Sequence, residues 1–278
     1  MYYVINYETK EVWMMAIDKL RDRAILYFGD ALAELDNIPN ESVDLIVTDP
    51  PYMISREDKI TVNAIGIGAH RISRDISLDF GQWDHFESLE EYIQFTKVWV
   101  SKAFSKLKDG GWMCIFFDMM KIYILEDISQ EIGITPKTIF VWAKTNPAPH
   151  FRSMNFVSAT EFIWCGEKGN MKMKNFRRHH EMYNYMLYPN KTGFGESDHP
   201  TEKPVALLKR LIMPTTVEDD VVLDPFMGSG STGVASMLLN RKFIGIEKDQ
   251  HFYEQAKSRI EKHVGLSKLD IYDYCSQE

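Results

Sequence analysis

Cysteine is scarce in this sequence, with three in 278 residues. Cys114, Cys165 and Cys275 are far apart and odd in number, so they match neither a disulfide framework nor the ligand spacing of a zinc site. The pair His179 and His180 has no cysteine or aspartate near it at ligand spacing. We therefore predict no metal site, and we expect Cys114 and Cys165, which lie in apolar runs, to be small buried residues.

Long hydrophobic runs are missing as well. None approaches the roughly 20 apolar residues that a membrane-spanning helix needs. Glu8, Lys10 and Glu11 stand where a secretory signal would need an uninterrupted apolar region. The proportions of hydrophobic (45%) and charged (26%) residues are ordinary for a globular protein. We expect a cytoplasmic protein with no membrane partner.

Positive charge is in deficit, and the formal net charge of −8 disfavours a general nucleic-acid binder, whose surface is usually basic. Residues 168–191 are an exception, because basic and aromatic side chains are interleaved there. They comprise Lys172, Lys174, Arg177 and Arg178 among Phe176, Tyr183, Tyr185 and Tyr188. Such a segment suits DNA contact through phosphate neutralisation and base stacking. A solvated loop with packed tyrosines has the same composition, so both interpretations stay open.

The apolar pattern predicts an α/β fold. Helical patterns alternate with strand-like runs, and the helix predicted at residues 88–107 opens with a capping-box pattern, Ser88 to Glu91. Continuously hydrophobic strands joined by helices predict a doubly wound, mostly parallel sheet. We predict one domain over residues 1–278, with insertions at 53–85 and 166–199. The seven predicted strands are residues 24–28, 43–48, 112–117, 138–142, 161–165, 221–223 and 243–246.

A glycine-rich turn follows the sixth predicted strand. Gly228, Gly230 and Gly233 satisfy the G-x-G-x-x-G pattern, and Glu247 stands near the position of its ribose-binding acid. An NAD-dependent oxidoreductase is therefore one alternative. Only one further strand follows the turn, however, and "DPF" puts an acid and an aromatic ring where a pyrophosphate would approach. A cationic cofactor without a phosphate suits that lining better, because carboxylates and aromatic faces attract cations.

The stretch "DLIVTDPPYMIS", residues 44–55, ends a buried run at Asp49. Pro50 and Pro51 remove two backbone donors and fix two φ angles, so the chain leaves the sheet as a rigid corner. A carboxylate, carbonyl groups and the ring of Tyr52 are then held at the end of a strand.

"TDPPY" followed by "DPFMGSGST" resembles the S-adenosylmethionine-dependent amino methyltransferases of DNA, which modify adenine N6 or cytosine N4. The order of the motifs is that of the group called beta. "LYFGDALAELDNIPNESVDLIVTDPPY", "FGQWDHF", "LKDGGWMCIFFD" and "HPTEKPVALLKRLI" are similar to further family segments, and together the matches cover most of residues 25–264. The resemblance implies a seven-stranded, circularly permuted, Rossmann-like class I methyltransferase fold with strand order 3-2-1-4-5-7-6. Both motifs would then emerge side by side at the switch point of the sheet.

The resemblance also implies roles for individual residues. In the catalytic motif, Asp49 and the Pro50 carbonyl would accept the hydrogens of the target amino group, Pro51 would stiffen the corner, and Tyr52 would stack on a base flipped out of the duplex. The implied cofactor site comprises Phe226, Gly228 and Gly230 at the methionine end, Asp224 at the amino group, Glu247 at the ribose, Asp30 with Ala31 at the adenine, and Thr201 with Lys203 at the carboxylate. For the last two residues there are alternatives, namely a helix cap for Thr201 and an exposed surface lysine for Lys203.

We predict methyl transfer to adenine N6 of DNA, in the context of restriction–modification, because aspartate rather than serine precedes the two prolines. Cytosine N4 of DNA, adenine in RNA and an inactive DNA-binding methylase subunit are alternatives. The 53–85 insertion is the predicted catalytic and target loop, and 166–199 is the predicted target-recognition region. Both are short, which leaves open a single-stranded substrate, a homodimer, or a partner subunit that helps to hold double-stranded DNA.

Overall fold

The structure is a computed structural model that describes residues 2–5, 12–53, 59–65, 71–77, 86–147, 156–170, 172–178, 182–190 and 202–264. Of residues 2–5, 12–16, 59–65 and 71–77 only the backbone is described. Thr201, His179, His180 and Cys275 lie outside the described residues.

The described strands number twelve. Their bounds are β1 (Tyr2–Ile5), β2 (Val12–Leu20), β3 (Ala24–Phe28), β4 (Val43–Thr48), β5 (Lys59–Ile65), β6 (Arg71–Ser77), β7 (Leu107–Phe117), β8 (Thr135–Lys144), β9 (Thr160–Glu167), β10 (Tyr185–Tyr188), β11 (Val221–Asp224) and β12 (Lys242–Glu247). The described α-helices are α1 (Ala31–Glu34), α2 (Leu89–Lys106), α3 (Ile122–Ile132), α4 (Val205–Thr215), α5 (Ser231–Leu238) and α6 (Gln250–Glu261).

Ten strands form one sheet in the order β1-β2-β3-β12-β11-β4-β7-β9-β8-β10, and β5 pairs with β6 as a separate antiparallel ribbon. The central seven strands, from β3 to β8 in that order, are the seven predicted ones, and they follow the predicted order 3-2-1-4-5-7-6. β9 runs antiparallel to β7 and β8, whereas the other neighbours among the seven are parallel. The predicted doubly wound, mostly parallel α/β sheet is confirmed.

The predicted width of seven strands is wrong, because three further strands extend the sheet. β1 and β2 add an antiparallel pair at one edge, and β10 adds a parallel strand at the other. β10 has only four residues, which alternate between exposed and half-buried, so its period-two pattern is too short to recognise in an aromatic-rich insertion. β2 carries Asp18 and Lys19 together near its end and therefore lacks the apolar continuity that marks the central strands.

Helices cover both faces of the sheet. Side chains of α4, α5 and α6 pack into one apolar core, and those of α2 and α3 pack into the other. All six residues of β4 are buried between these layers. The predicted cap of α2 is present, since the Ser88 hydroxyl accepts the Glu91 N–H at 3.1 Å, but the Glu91 carboxylate accepts from the Glu87 N–H instead of completing the box at Ser88.

Cys114 and Cys165 are buried free thiols, as predicted. They lie opposite each other in the β7–β9 pair, with their sulfur atoms 3.2 Å apart. Their wide separation in the sequence gave no indication that these two cysteines are neighbours in the fold. Within the described ranges, no helix combines the length and apolar character that crossing a bilayer requires.

Candidate active site

Two strand ends, far apart in sequence, meet at the carboxyl edge of the sheet. β4 and β11 are parallel neighbours, and Asp49 and Pro225 directly follow them. The hydroxyl of Thr48, the last residue of β4, donates to Asp224 Oδ1 at 2.7 Å. Both corners line one cleft with a volume of about 1250 Å³. The two motifs thus share a crevice, as the strand order predicts.

The proline corner is held from two sides. Pro50 and Pro51 are buried, and the Tyr92 hydroxyl of α2 donates to the Pro51 carbonyl at 3.3 Å. The Lys121 ammonium donates to the carbonyls of Tyr52 and, at 3.1 Å, Met53. Since prolines leave this segment without its own donors, these outside donors satisfy its carbonyls and fix its path.

The Asp49 carboxylate has a partner on each oxygen. The Tyr52 hydroxyl donates to Oδ1, and the Lys203 ammonium lies 2.5 Å from Oδ2. Burial raises the pKa of Asp49, while Lys203 acts in the opposite direction. Burial, followed by the Asp49 charge, raises the pKa of the Tyr52 hydroxyl well above its ordinary value.

Lys203 stands at this acid, although its predicted place is the carboxylate of the cofactor. Its ammonium also lies 3.4 Å from Glu161 Oε2, and Glu161 Oε1 is 2.6 Å from Lys144 Nζ. Burial lowers the pKa of Lys203, but Asp49 and Glu161 together outweigh that effect and raise it. The alternative of an exposed surface lysine is excluded, because 9% of its side chain is exposed.

Carboxylate and guanidinium groups hold the glycine turn. Gly228 and Gly230 have φ of 51° and 82°, and the Gly228 N–H donates to Glu247 Oε2 at 2.9 Å. Arg259 of α6 donates to the Ser229 carbonyl at 2.6 Å, and its other amino group lies 2.7 Å from the Glu202 carboxylate. Glu247 therefore shapes the turn in addition to its predicted role at the ribose, and Arg259 and Glu202 fix the turn to α6 and to the segment before α4.

Acidic and aromatic side chains contribute much of the remaining lining of the cleft. Phe226 packs edge-on against Trp99, with ring centroids 5.3 Å apart. Asp30 caps α1 by accepting the Leu32 N–H at 2.8 Å, and it lines the cleft together with Ala31. Carboxylates and aromatic faces favour a cationic ligand, and the glycine turn gives it close access to the backbone. This donor set fits a sulfonium nucleoside.

Comparison with known proteins decides the family. A sequence model of the DNA methylase family, N6_N4_Mtase, matches residues 43–258. The chain belongs to this family of DNA methylases. It is a DNA amino methyltransferase, and S-adenosylmethionine is its cofactor. The oxidoreductase alternative is therefore wrong.

The relatives extend over most of the chain. The type II methyltransferase M2.LlaDCHI of Lactococcus lactis subsp. cremoris is 32% identical over 259 residues, which are 87% of this chain and 91% of that protein. M2.DpnII of Streptococcus pneumoniae is also 32% identical, over 258 residues with the same coverage of both proteins.

Solved structures agree with the fold. The complex of M1.HpyAVI with S-adenosylmethionine is 28% identical and has a TM-score of 0.65, covering 84% of this chain and 98% of that one. The PvuII cytosine-N4-specific DNA methyltransferase has a TM-score of 0.67 over 92% of both chains. At 20% identity, its likeness concerns the fold alone.

Of the methylase's predicted DNA contacts, Lys174 lies away from the two motifs of the cleft. Lys174 Nζ lies 3.1 Å from Asp44 and 2.7 Å from Asp220, at the amino ends of β4 and β11. A strand rises about 3.3 Å per residue, so Asp44 is roughly 17 Å along β4 from Asp49. This position does not support a DNA contact for Lys174, which joins an ion-pair cluster instead. The DNA contacts of Lys172, Arg177 and Arg178 stay predictions.

The sequence pattern did not identify Glu161, Lys144 or Tyr92 as parts of the site. A signal for Glu161 was present, because it is an acid that directly precedes the apolar residues 162–165, where a charge needs a partner. Nothing in the sequence indicated that the partner is Lys203.

Proposed function

We propose that this methylase transfers the methyl group of S-adenosylmethionine to the N6 amino group of adenine in DNA, with Asp49, Pro50, Pro51 and Tyr52 as its catalytic motif. The observation that carries this proposal is the Thr48–Asp224 hydrogen bond, because it joins the proline corner to the glycine corner within one cleft. The cleft volume of about 1250 Å³ exceeds the roughly 300–1,000 Å³ of an ordinary ligand pocket, which suits a cofactor and a base together.

Adenine is favoured over cytosine by the acid at position 49. Aspartate rather than serine precedes the two prolines. The relatives named above, which are similar to this chain over most of its length, are type II methyltransferases, and this supports a place in restriction–modification. DNA as substrate supports action in the cytoplasm.

The Asp49 corner prepares the amine for transfer. An exocyclic amino group is a weak nucleophile because its lone pair is delocalised into the base. When Asp49 and the Pro50 carbonyl accept its two hydrogens, the lone pair can turn towards the methyl carbon. The nitrogen would form the new N–C bond as the electron pair of the C–S bond stays with sulfur, and the Asp49 carboxylate would take up the surplus proton of the amine.

The bound cofactor supplies an electrophilic methyl group on a sulfonium. Asp224 would attract its positively charged amino group, Glu247 would hold its ribose, and Phe226, Gly228 and Gly230 would shape its methionine end. Tyr52 leaves its hydrogen bond with Asp49 and stacks on the flipped base, contributing roughly 1–3 kcal/mol towards the cost of flipping. Alignment of the two reactants can itself supply about 7–11 kcal/mol of rate enhancement.

Cofactor affinity is expected to fall as the pH drops below about 7. Burial raises the pKa of Asp224 to about 7, although hydrogen bonds from Thr232 and Thr48 act in the opposite direction. Below that pH the carboxyl group is protonated and neutral, so its attraction for the amino group and sulfonium is lost. Calorimetric titration with S-adenosylmethionine should show a loss of up to about tenfold per pH unit.

Asp224→Asn provides the control for this titration. The variant keeps a similar shape but has no charge to lose, so we expect its weaker affinity to be independent of pH in this range. An unchanged pH dependence in Asp224→Asn would assign the titration to another acid, such as Glu247, whose pKa is also raised by burial.

The substrate is tested by nucleoside analysis. Protein is incubated with labelled S-adenosylmethionine and matched double-stranded DNA, single-stranded DNA or RNA, and the nucleic acid is digested to nucleosides. We expect label in N6-methyladenine from double-stranded DNA. Label in N4-methylcytosine, or in RNA alone, would overturn the corresponding part of the proposal.

An inactive DNA-binding subunit would bind DNA without transferring label to any substrate. Sedimentation with and without DNA reports whether a homodimer forms, which we propose as the way a chain with short insertions holds a duplex. Preference for single-stranded DNA by a monomer would contradict that part.

A further inference from the structure

Four side chains of alternating charge form a row that ends at the proposed catalytic acid. Lys144 ends β8, Glu161 lies near the start of β9, Lys203 precedes α4, and Asp49 follows β4. Successive charged atoms are 2.6, 3.4 and 2.5 Å apart along the row from Lys144 to Asp49. Four segments distant in sequence thus meet through their charges at the edge of the cleft.

Lys203 is the least exposed member of the row. Its side chain is 9% exposed, compared with 22% for Asp49 and 27% for Glu161. The ammonium also lies over the Phe116 ring, 5.1 Å from its centroid. A buried charge is tolerated when it is paired, and this one is shared between two carboxylates.

We propose that Lys203 and Glu161 are positioning residues that set the orientation and basicity of Asp49. This inference rests on the proposed function, because it takes Asp49 as the acceptor of the target amine's hydrogen. Neither residue needs to touch the base or the cofactor to act in this way.

The geometry divides the Asp49 carboxylate into two halves. Lys203 holds Oδ2 and thereby restrains the orientation of the carboxylate. Oδ1 accepts the Tyr52 hydroxyl, a donor that an incoming amine can replace when Tyr52 moves to stack on the base. Lys203 therefore leaves Oδ1 available to the substrate, while its charge opposes the effect of burial on the pKa of Asp49.

Glu161 limits how tightly Lys203 pairs with Asp49. It competes for the same ammonium, and its own negative charge raises the pKa of Asp49. Lys144 pairs with Glu161 and keeps that competitor ionised, since it and Lys203 outweigh burial and lower the pKa of Glu161. The row thus balances two needs, namely a carboxylate that is charged at working pH and one that is still basic enough to accept a proton.

Other charged and titratable groups around the corner are unchanged in the test. They are Tyr52 on Asp49 itself, Tyr92 of α2 at the Pro51 carbonyl, Lys121 at the Tyr52 carbonyl, and Asp224 at the end of β11.

The test is the pH profile of single-turnover methylation with cofactor and DNA saturating. The acid limb of this profile is the range in which the rate falls as Asp49 becomes protonated. In Lys203→Met, this limb is expected to move to higher pH by about one unit or more, and the rate near neutrality should fall at least about tenfold. In Glu161→Gln, the limb is expected to move in the opposite direction, to lower pH, because Asp49 is then the only carboxylate of the row that pairs with Lys203. Lys203→Arg keeps the charge and should return the limb towards its original position.

Lys137→Met is the matched control. Lys137 and Glu167 form a 2.6 Å ion pair between the same two strands, β8 and β9, at their opposite ends. Loss of this pair is expected to lower thermal stability without moving the acid limb. The comparison therefore separates a general weakening of the fold from an effect on Asp49.

A shift of the limb in the same direction in Lys203→Met and Glu161→Gln, or no shift in either, would overturn the inference. Failure of the proposed function looks different, because Asp49→Ala would then retain methyl transfer. A variant that does not fold is recognised by loss of calorimetric binding of S-adenosylhomocysteine, and Lys203→Arg and Glu161→Gln then carry the test.

Discussion

Asp49→Ala is expected to lower the rate of methyl transfer at least about 10³-fold while changing cofactor affinity little. The substitution removes the acceptor that turns the amine's lone pair towards the methyl group. The cofactor contacts assigned to Asp224, Glu247 and the glycine turn remain in place. Single-turnover transfer from labelled S-adenosylmethionine gives the rate, and calorimetry with S-adenosylhomocysteine gives the affinity.

Two further substitutions sharpen this result. Asp49→Asn keeps one carbonyl oxygen as an acceptor but cannot take up the proton, so we expect a rate between those of the native protein and Asp49→Ala. Asp36→Ala removes an exposed carboxylate that pairs with Lys102 and is not among the residues lining the cleft, and it should leave transfer unchanged. A large loss of cofactor affinity in Asp49→Ala would reassign Asp49 to the cofactor site.

Gly230→Ala is expected to cost about 2–5 kcal/mol of the free energy of unfolding and to weaken cofactor binding at least about tenfold. Gly230 has a φ of 82°, which alanine adopts only with strain. A Cβ atom there would also lie 2.8 Å from the Ala256 Cβ and 3.0 Å from its Cα, so α6 must shift. The glycine turn moves with it, because Arg259 of α6 holds the Ser229 carbonyl. Denaturant unfolding and calorimetry measure the two effects.

Gly133→Ala separates strain from packing. Gly133 caps α3 with a φ of 84°, and a Cβ atom there would meet nothing within 4 Å. This variant should lose only the backbone term, about 1–2 kcal/mol, and bind the cofactor normally. Equal losses in the two variants would show that close packing against α6 contributes nothing to the shape of the turn.

The central sheet was predictable because its strands are continuously apolar. Such runs can be recognised as strands without knowledge of their neighbours, and the resemblance to the methyltransferase family supplied the order of the strands in the sheet. β10 and β2 were missed for a different reason. β10 is an edge strand with a short pattern, and β2, between β1 and β3, has a mixed one, so both gain their pairing from neighbours already in place. The β5–β6 ribbon within the predicted target loop was missed as well.

The residues at the strand ends were predictable and their partners were not. Asp49 and Asp224 are marked by the prolines and glycines that follow them. Lys203 and Lys174 carry no such mark, and a lysine can reach any carboxylate within the length of its side chain. The structure pairs Lys203 with Asp49 and Lys174 with Asp44 and Asp220, choices that depend on which strands are neighbours.

The Thr48–Asp224 hydrogen bond spans 176 positions of the chain. During synthesis at about 5–20 residues per second, Thr48 leaves the ribosome roughly 10–35 s before Asp224 does. The strand that carries the proline corner, β4, therefore lacks its central neighbour until β11 has been synthesised. The active site is consequently completed late in synthesis, and the nascent chain cannot transfer a methyl group before β11 has joined the sheet.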